Sequence, residues 1–123
     1  MTIIETINRI DILKPNTYSP ETKTYWLSNL DGIVFENIIK THEGAEVKEF
    51  NGYTAETPLD TILLIPAPYD DIYLKWLEAQ IDYANGEYDK YNNIIVAYNN
   101  AYSEFERYYN RTHMPKGESI KCF

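Results

Sequence analysis

The sequence is poor in the residues that most often carry covalent and metal chemistry. Its 123 residues include one cysteine, Cys122, and two histidines, His42 and His113. A single cysteine excludes an intrachain disulfide, and so few sulfur and imidazole ligands leave almost no prospect of a structural zinc site. His42-Glu43 supplies the first two residues of a zinc-protease motif, but no second histidine follows at the required spacing. We therefore expect no metal and no other cofactor.

Long apolar runs are also absent. Runs such as Ile62 to Ile65, which ends at Pro66, are far short of the roughly 20 residues that span a bilayer. The opening MTIIETINRI carries charges among its apolar positions and lacks a cleavage site, so we expect no signal peptide. Glycine-rich phosphate loops are missing, and Cys122 is too close to the chain end to be held readily beside a base. These features favour a soluble, non-enzymatic protein of a reducing cytoplasm.

Positive charge is scarce: 11 lysines and arginines face 19 acids, for a net charge of −8. A general nucleic-acid binder needs a basic face that displaces counterions from phosphates, so that class is disfavoured. The charge is also uneven, because residues 43–60 are acidic and residues 111–123 are basic. The two segments could pair between identical subunits or meet different partners, or both could simply be solvated surface.

The most informative pattern lies between Leu74 and Tyr109, where apolar and aromatic residues recur every three or four positions. This spacing places them on one stripe of an α-helix. The members are Leu74, Leu77, Ile81, Ala84, Tyr88, Tyr91, Ile95, Tyr98, Tyr102, Phe105 and Tyr109. Tyrosine buries a large ring but keeps a hydroxyl that needs a partner or water, which suits a seam with wet edges. The stripe therefore predicts a helical packing and assembly surface.

Two further helices are predicted before this stripe. One covers Thr2 to Leu13, with isoleucines along one side. The next begins with Ser19 as N-cap and Pro20 at its first position. Its core face comprises Trp26, Leu27, Leu30, Val34 and Ile38, and Gly44 could end it. Gly32 interrupts this helix at a cost of about 1 kcal/mol relative to alanine, which indicates close packing or a bend.

The stretches between and after these helices follow no regular period. Residues 45–67 contain the turn dipeptide Asn51-Gly52 and are predicted to form a long projecting loop with room for a short hairpin. At Asn85-Gly86 the chain either turns into an αα-hairpin, which we favour, or continues as one bent helix. Residues 113–123 are predicted to be a flexible tail. The fold class is thus all-α: one domain, 1–123, a small bundle of about four helices.

Candidate interface residues are those whose type and position favour contact with other chains. Aromatic residues and arginine are enriched at protein interfaces, and the tyrosines that lie off the stripe, Tyr83 among them, are expected to be partly exposed. The candidates are Phe50, Tyr53, Leu63, Tyr69, Tyr73, Tyr108, Arg111, His113, Lys116 and Phe123. We expect the loop from Glu46 to Leu64 and the tail from Arg111 to contact other chains rather than their own core.

Three stretches resemble a known family: IETINRIDILKPNTYSPETKTYWLSNLDG, then NGYTAETPLDTILLIPAPYDDIYLKWLEAQIDYANGEYDKYNN, then AYNNAYSEFERYYNRTHMP. Together they are similar to the small head–tail connector (adaptor) proteins of tailed bacteriophages and prophages. The resemblance implies a helical bundle with a long loop that forms a ring, typically of twelve copies, beneath the portal protein in the virion neck. Such a ring extends the DNA channel without binding DNA specifically, docks the stopper or tail-completion protein, and contacts no membrane. Before assembly the protein would reside in the host cytoplasm.

Two other functions stay open at the level of sequence. One is an acidic inhibitor that mimics DNA, which the net charge of −8 supports. Against it, the acids of the long helical segment alternate with bases, such as Lys90 and Arg107, instead of forming a phosphate-like array. The other is a helical accessory subunit of a host complex.

Overall fold

The computed structural model describes residues 1–45 and 47–116, and it contains four α-helices. These are α1 (Ile3–Leu13), α2 (Pro20–Val34), α3 (Ile72–Ala84) and α4 (Tyr88–Thr112). A π-helical turn (Phe35–Ile39) extends α2, and a 3-10 turn (Tyr69–Asp71) leads into α3. Within the described residues the only β pairings are two isolated bridges. The prediction of an all-α fold with about four helices is confirmed.

The helices begin and end where local chemistry favours it. The Thr2 side chain accepts a hydrogen bond from the Glu5 N–H, and the Ser19 side chain accepts one from the Thr22 N–H. Between α3 and α4 the chain turns at Gly86, whose φ of 75° lies in the left-handed region that glycine tolerates best. The αα-hairpin is therefore the correct alternative at Asn85-Gly86.

Polar contacts at the two ends of α3 show how the helices run. The N-terminal amine of Met1 lies 3.3 Å from Asp70, and the Lys14 ammonium lies 2.6 Å from Asp82. Helix α1 therefore lies beside α3 and runs in the same direction. Helix α2 runs in the opposite direction, since the Tyr18 hydroxyl bonds Asn85 near the end of α3 while the Trp26 carbonyl, further along, accepts the Trp76 indole N–H.

The core forms where α1, α2 and α3 meet and where α4 covers α3. Fully buried side chains come from every helix and from the end of the long connection. They include Ile3, Ile10, Leu27, Leu30, Ile38, Ile65, Ile72, Tyr73, Leu77, Ile81 and Phe105. The predicted helix faces are thus largely confirmed, although Trp26 is only half-buried. In α4 burial is confined to Tyr98, Phe105 and Tyr109, so the first half of this helix is less covered than the stripe predicts.

The long irregular loop predicted between the second and third helices is present as the connection between the π-helical turn and α3, and its end packs into the core. Leu63 and Ile65 are buried in the core, and the Ile3 and Ile4 N–H groups donate to carbonyls of the connection at Thr61 and Leu59. The first N–H groups of a helix need acceptors outside it. The carbonyls of the connection supply these acceptors for the first N–H groups of α1. No hairpin forms at Asn51-Gly52 among the described residues. The Tyr53 N–H donates to the Ser28 hydroxyl on α2, and the Leu63 N–H donates to the Met1 carbonyl before α1.

The start of the predicted flexible tail is also held against the protein. The Glu43 N–H donates to the Met114 carbonyl, and the Lys116 N–H donates to the Thr41 carbonyl, around a bridge between His42 and Pro115. The acidic and basic segments, for which pairing between identical subunits was one of the alternatives, therefore lie side by side at this point within one chain. Phe123 and the rest of the tail after Lys116 lie outside the described residues.

Candidate interaction surface

The predicted interface residues fall into three groups. Leu63 and Tyr73 are buried in the core, so the expectation that Tyr73 is partly exposed is wrong. Arg111 and Lys116 have exposed side chains. The half-buried group consists of Phe50, Tyr53, Tyr69, Tyr108 and His113. An interface role stays a prediction for the exposed and half-buried residues, whereas the two core residues support the fold.

The half-buried aromatics contact one another within the chain. Tyr69 and Tyr108 stack with their ring centroids 4.7 Å apart, and Phe50 packs edge-on against Tyr53 at 5.0 Å. His113 stacks on Tyr109 at 3.8 Å. These contacts give each ring a partner inside the monomer. Their packing therefore does not require another chain, although each pair leaves part of its surface open.

A buried carboxylate, which the sequence reading did not single out, positions the long connection. Asp31 accepts hydrogen bonds from the Tyr53 hydroxyl at 2.5 Å, the Tyr73 hydroxyl at 2.5 Å and the Leu64 N–H at 3.1 Å. The Ile65 N–H in turn donates to the Tyr73 hydroxyl at 2.7 Å. We call these residues the Asp31 junction. Through the Asp31 side chain, the junction joins α2 to α3 and to two points of the connection, Tyr53 and Leu64.

Burial raises the pKa of Asp31 above its ordinary value, and the hydrogen bonds from Tyr53, Tyr73 and Leu64 oppose that rise. A raised pKa means that the folded state holds the proton more tightly than the unfolded chain does. The stability that this group contributes is therefore complete in acid below about pH 3.8 and is lost as the pH rises through the folded-state pKa.

We expect this titration to appear when the wild type is compared with Asp31→Asn, which cannot ionise. As the pH falls from about 7 to about 4, the free energy of unfolding of the wild type should rise relative to that of the variant. Urea denaturation at several pH values measures this difference, with Asp60→Asn, at an exposed position of the same connection, as control. A constant difference between the wild type and Asp31→Asn would contradict the raised pKa.

Exposed aromatic surface is concentrated at the turn between α3 and α4. Tyr83 is 58% exposed and Tyr88 is 57% exposed, even though their rings pack edge-on at 5.5 Å. Tyr91 packs on Tyr83 in the same way at 5.3 Å. We call these three residues the tyrosine cluster. Three neighbouring tyrosines with rings only half-covered by each other form a surface that favours protein contact.

Aliphatic side chains extend this apolar end of the bundle. The contacts of Lys14 with Asp82 and of Tyr18 with Asn85 bring the end of α1 beside the α3–α4 turn. Two residues there, Ile12 and Leu13, are 80% and 64% exposed. The sequence pattern assigned Tyr88 and Tyr91 to a packed stripe. It could not show that the stripe extends beyond the helices available to cover it.

A second surface feature is a groove between α2 and the connection, with a cavity volume of about 480 Å³. Its walls combine polar side chains, an aromatic ring and two glycines. The lining residues are Ser28, Asn29, Gly32, Ile33, Glu36, Asn37, Phe50 and Gly52. Such a mixture can hold an aromatic ring that also carries a hydroxyl.

A second cavity, of about 280 Å³, lies beside the ion pair of Lys14 and Asp82. The Lys14 ammonium contacts Asp82 Oδ1 at 2.6 Å without hydrogen-bond geometry, and Oδ2 has no donor among the described residues. Lys90 and Glu78 also line this cavity. Asp82 is 1% exposed and Lys14 is 22% exposed, so the cavity lies beside a buried carboxylate that a lysine neutralises, and this arrangement holds no nucleophile beside a base.

Two classes of site find no support in the part of the chain that the structure describes. No group of three or more histidine, cysteine, aspartate or glutamate side chains is placed there to hold a metal ion. None of its helices is both long and apolar enough to cross a membrane. Comparison with protein-family models, with curated proteins and with solved structures found no match to this chain.

Proposed function

We propose that this protein is a structural assembly component, a head–tail adaptor that forms a ring beneath a phage portal. The observation that carries the proposal is the tyrosine cluster, a largely exposed aromatic surface at one end of a small acidic bundle. Tyrosine at exposed positions gives large contact area at low entropic cost, which favours an interface over a solvated face. The resemblance of the sequence to connector proteins supplies the partners: further copies, the portal and the next neck protein.

The charge of the chain agrees with this role. A net charge of −8 repels the phosphates of a passing duplex, so a ring of such subunits would let DNA through without holding it. The same charge makes identical copies repel each other. Apolar and aromatic contacts at the tyrosine cluster would have to overcome that repulsion, and salt should help them by screening it.

Self-association of the purified protein tests the proposal. We expect the mass measured by analytical ultracentrifugation to rise with protein concentration, and to rise further in salt that screens the repulsion. The double variant Tyr83→Ser/Tyr88→Ser should weaken association at least about tenfold, because it removes two exposed rings from the contact. Circular dichroism should show its helices intact, since both side chains are more than half exposed.

The control is Ile62→Ser, which removes an apolar side chain that is 72% exposed on the connection, beside Thr2 and so at the end of α1 away from the cluster. This variant should associate like the wild type. Equal association of the double variant and the wild type would contradict an interface at the tyrosine cluster. A protein that stays monomeric at all concentrations, alone and with its portal, would contradict the adaptor role itself.

A further inference from the structure

The chain contains two Asn-Gly pairs, Asn51-Gly52 in the long connection and Asn85-Gly86 at the α3–α4 turn. Asparagine followed by glycine can deamidate spontaneously, because glycine has no side chain to hinder the attack of its backbone nitrogen on the asparagine amide. Both asparagines are exposed, and both glycines have a positive φ, of 88° at Gly52 and 75° at Gly86. Exposure and glycine conformation therefore do not distinguish the two sites, whereas their hydrogen bonds do.

Asn85-Gly86 is held by two hydrogen bonds. The Gly86 N–H donates to the Tyr83 carbonyl at 3.0 Å, and Asn85 Oδ1 accepts from the Tyr18 hydroxyl at 2.6 Å. Asn85 also keeps the backbone conformation of the helix end, with a ψ of −5° that turns the Gly86 nitrogen away from the asparagine side chain. The attacking nitrogen and the amide that it would attack are therefore held apart.

Asn51-Gly52 has no such restraint in the part of the chain that the structure describes. Residue 51 belongs to no helix, and neither its side chain nor the Gly52 N–H takes part in a hydrogen bond with another described residue. The next hydrogen bond along the chain is that of the Tyr53 N–H, which donates to the Ser28 hydroxyl at 2.9 Å. The Asn51 side chain is thus free to rotate toward the Gly52 nitrogen.

We propose that Asn51 is a site of spontaneous deamidation and that the fold protects Asn85 from the same reaction. The Gly52 nitrogen forms a bond to Asn51 Cγ, the bond between Cγ and Nδ2 breaks, and Nδ2 leaves as ammonia with the proton of the Gly52 N–H. Water then opens the resulting succinimide at either carbonyl carbon and yields aspartate or isoaspartate, without oxidation or reduction. The reaction needs no partner chain, so it is independent of the proposed function.

Isoaspartate at position 51 loosens the Asp31 junction. It routes the main chain through the former side-chain carbon and so adds a methylene to the backbone just before Gly52. The backbone has little room for this change, since a Cβ at Gly52 would already lie 3.1 Å from the Ser28 hydroxyl. Tyr53 follows directly, so the change displaces both its N–H from Ser28 and its hydroxyl from Asp31. Deamidation therefore weakens the contact between α2 and the connection.

Peptide mapping by mass spectrometry measures both reactions in one sample. The purified full chain is incubated in warm, mildly alkaline buffer, either folded or unfolded in guanidinium chloride, and the conversion of each Asn-Gly peptide is followed with time. In the folded protein Asn51 should deamidate at least about tenfold faster than Asn85, because two hydrogen bonds must break before Asn85 can react. In guanidinium chloride the two rates should converge, because the protection of Asn85 comes from the fold.

Two variants test the cause of the difference. Tyr18→Phe removes the hydrogen bond to Asn85 and should speed deamidation of Asn85 in the folded protein, with the rate at Asn51 unchanged. Asn51→Gln, whose longer side chain closes a ring far less readily, should prevent the acidic species that the aged wild type shows on ion exchange. Asn99→Gln, at an exposed position of α4, is the matched control and should form that species like the wild type.

The isoaspartate form and the variant Asn51→Asp separate the effect of the backbone from that of the charge. The isoaspartate form, isolated from aged wild type, should have a thermal midpoint lower by about 3 °C or more, because the hydrogen bonds of Tyr53 are displaced. Asn51→Asp carries the same charge on a normal backbone and should melt near the wild-type midpoint.

Three outcomes would overturn the proposal. If Asn51 in the folded protein deamidates no faster than Asn85, the site is not selective. If the tenfold difference persists in guanidinium chloride, it comes from the neighbouring sequence and the fold does not protect Asn85. If the isoaspartate form melts like the wild type, deamidation does not reach the Asp31 junction.

Discussion

Replacing Asp31 with alanine is expected to lower the free energy of unfolding by about 3–5 kcal/mol, measured by urea denaturation. The substitution removes the acceptor of three hydrogen bonds at once. The Tyr73 side chain is fully buried, so its hydroxyl cannot turn to water instead. A buried donor without a partner costs about 1–3 kcal/mol, and the half-buried Tyr53 should contribute less than Tyr73.

The control for this prediction is Asp60→Ala, which removes an exposed carboxylate from the same connection. It should change the free energy of unfolding by no more than about 0.5 kcal/mol. Tyr73→Phe should fall between the two, since it removes one donor to Asp31 and the acceptor of the Ile65 N–H. If Asp31→Ala unfolds like Asp60→Ala, the other contacts of the connection hold it in place and the Asp31 junction adds nothing measurable to the stability.

The second large effect is expected on α4, where Phe105→Ala and Tyr98→Ala should each lower the free energy of unfolding by about 3–5 kcal/mol. Phe105 is completely buried, and its ring lies 5.9 Å from both Tyr69 and Tyr109. Tyr98 is 8% exposed and its ring packs on Trp76 at 5.1 Å. Truncation leaves a cavity at each site, and Phe105→Ala should be the more costly of the two. Thermal and urea denaturation both measure the loss.

Val96→Ala is the control on the same helix, because Val96 is 58% exposed and alanine is the better helix former. Its stability should equal or slightly exceed that of the wild type. Midpoints of Phe105→Ala and Tyr98→Ala near the wild-type value would show that α4 packs on α3 only weakly, and that its stripe is reserved for another chain.

Local signals predicted most of the helical framework. Spacing of apolar residues, the cap at Ser19 with Pro20, and the Asn85-Gly86 turn depend on neighbours within a few positions, so the sequence displays them directly. The last helix ends at Thr112, directly before the tail that the sequence predicts from residue 113. The pattern could not show how much of the stripe on α4 is covered by another helix. That depends on the lengths and directions of the other helices.

The contacts of the long connection could not be predicted for a related reason. It lacks a regular period because its hydrogen bonds reach distant parts of the chain, among them Ser28 from Tyr53 and Asp31 from Leu64. One local signal could have identified the Asp31 junction. Asp31 stands four residues after Leu27 and three before Val34, on the core face of α2, where an acid must find partners.

The proposed function requires that copies of this chain join in a closed ring through the tyrosine cluster. Cryo-electron microscopy of the purified protein mixed with its portal tests that claim directly. We expect a ring coaxial with the portal, in which the α3–α4 turn of each copy lies in a contact with a neighbouring copy. A portal that carries no ring of this chain, or a ring whose contacts leave Tyr83 and Tyr88 in solvent, would contradict the account.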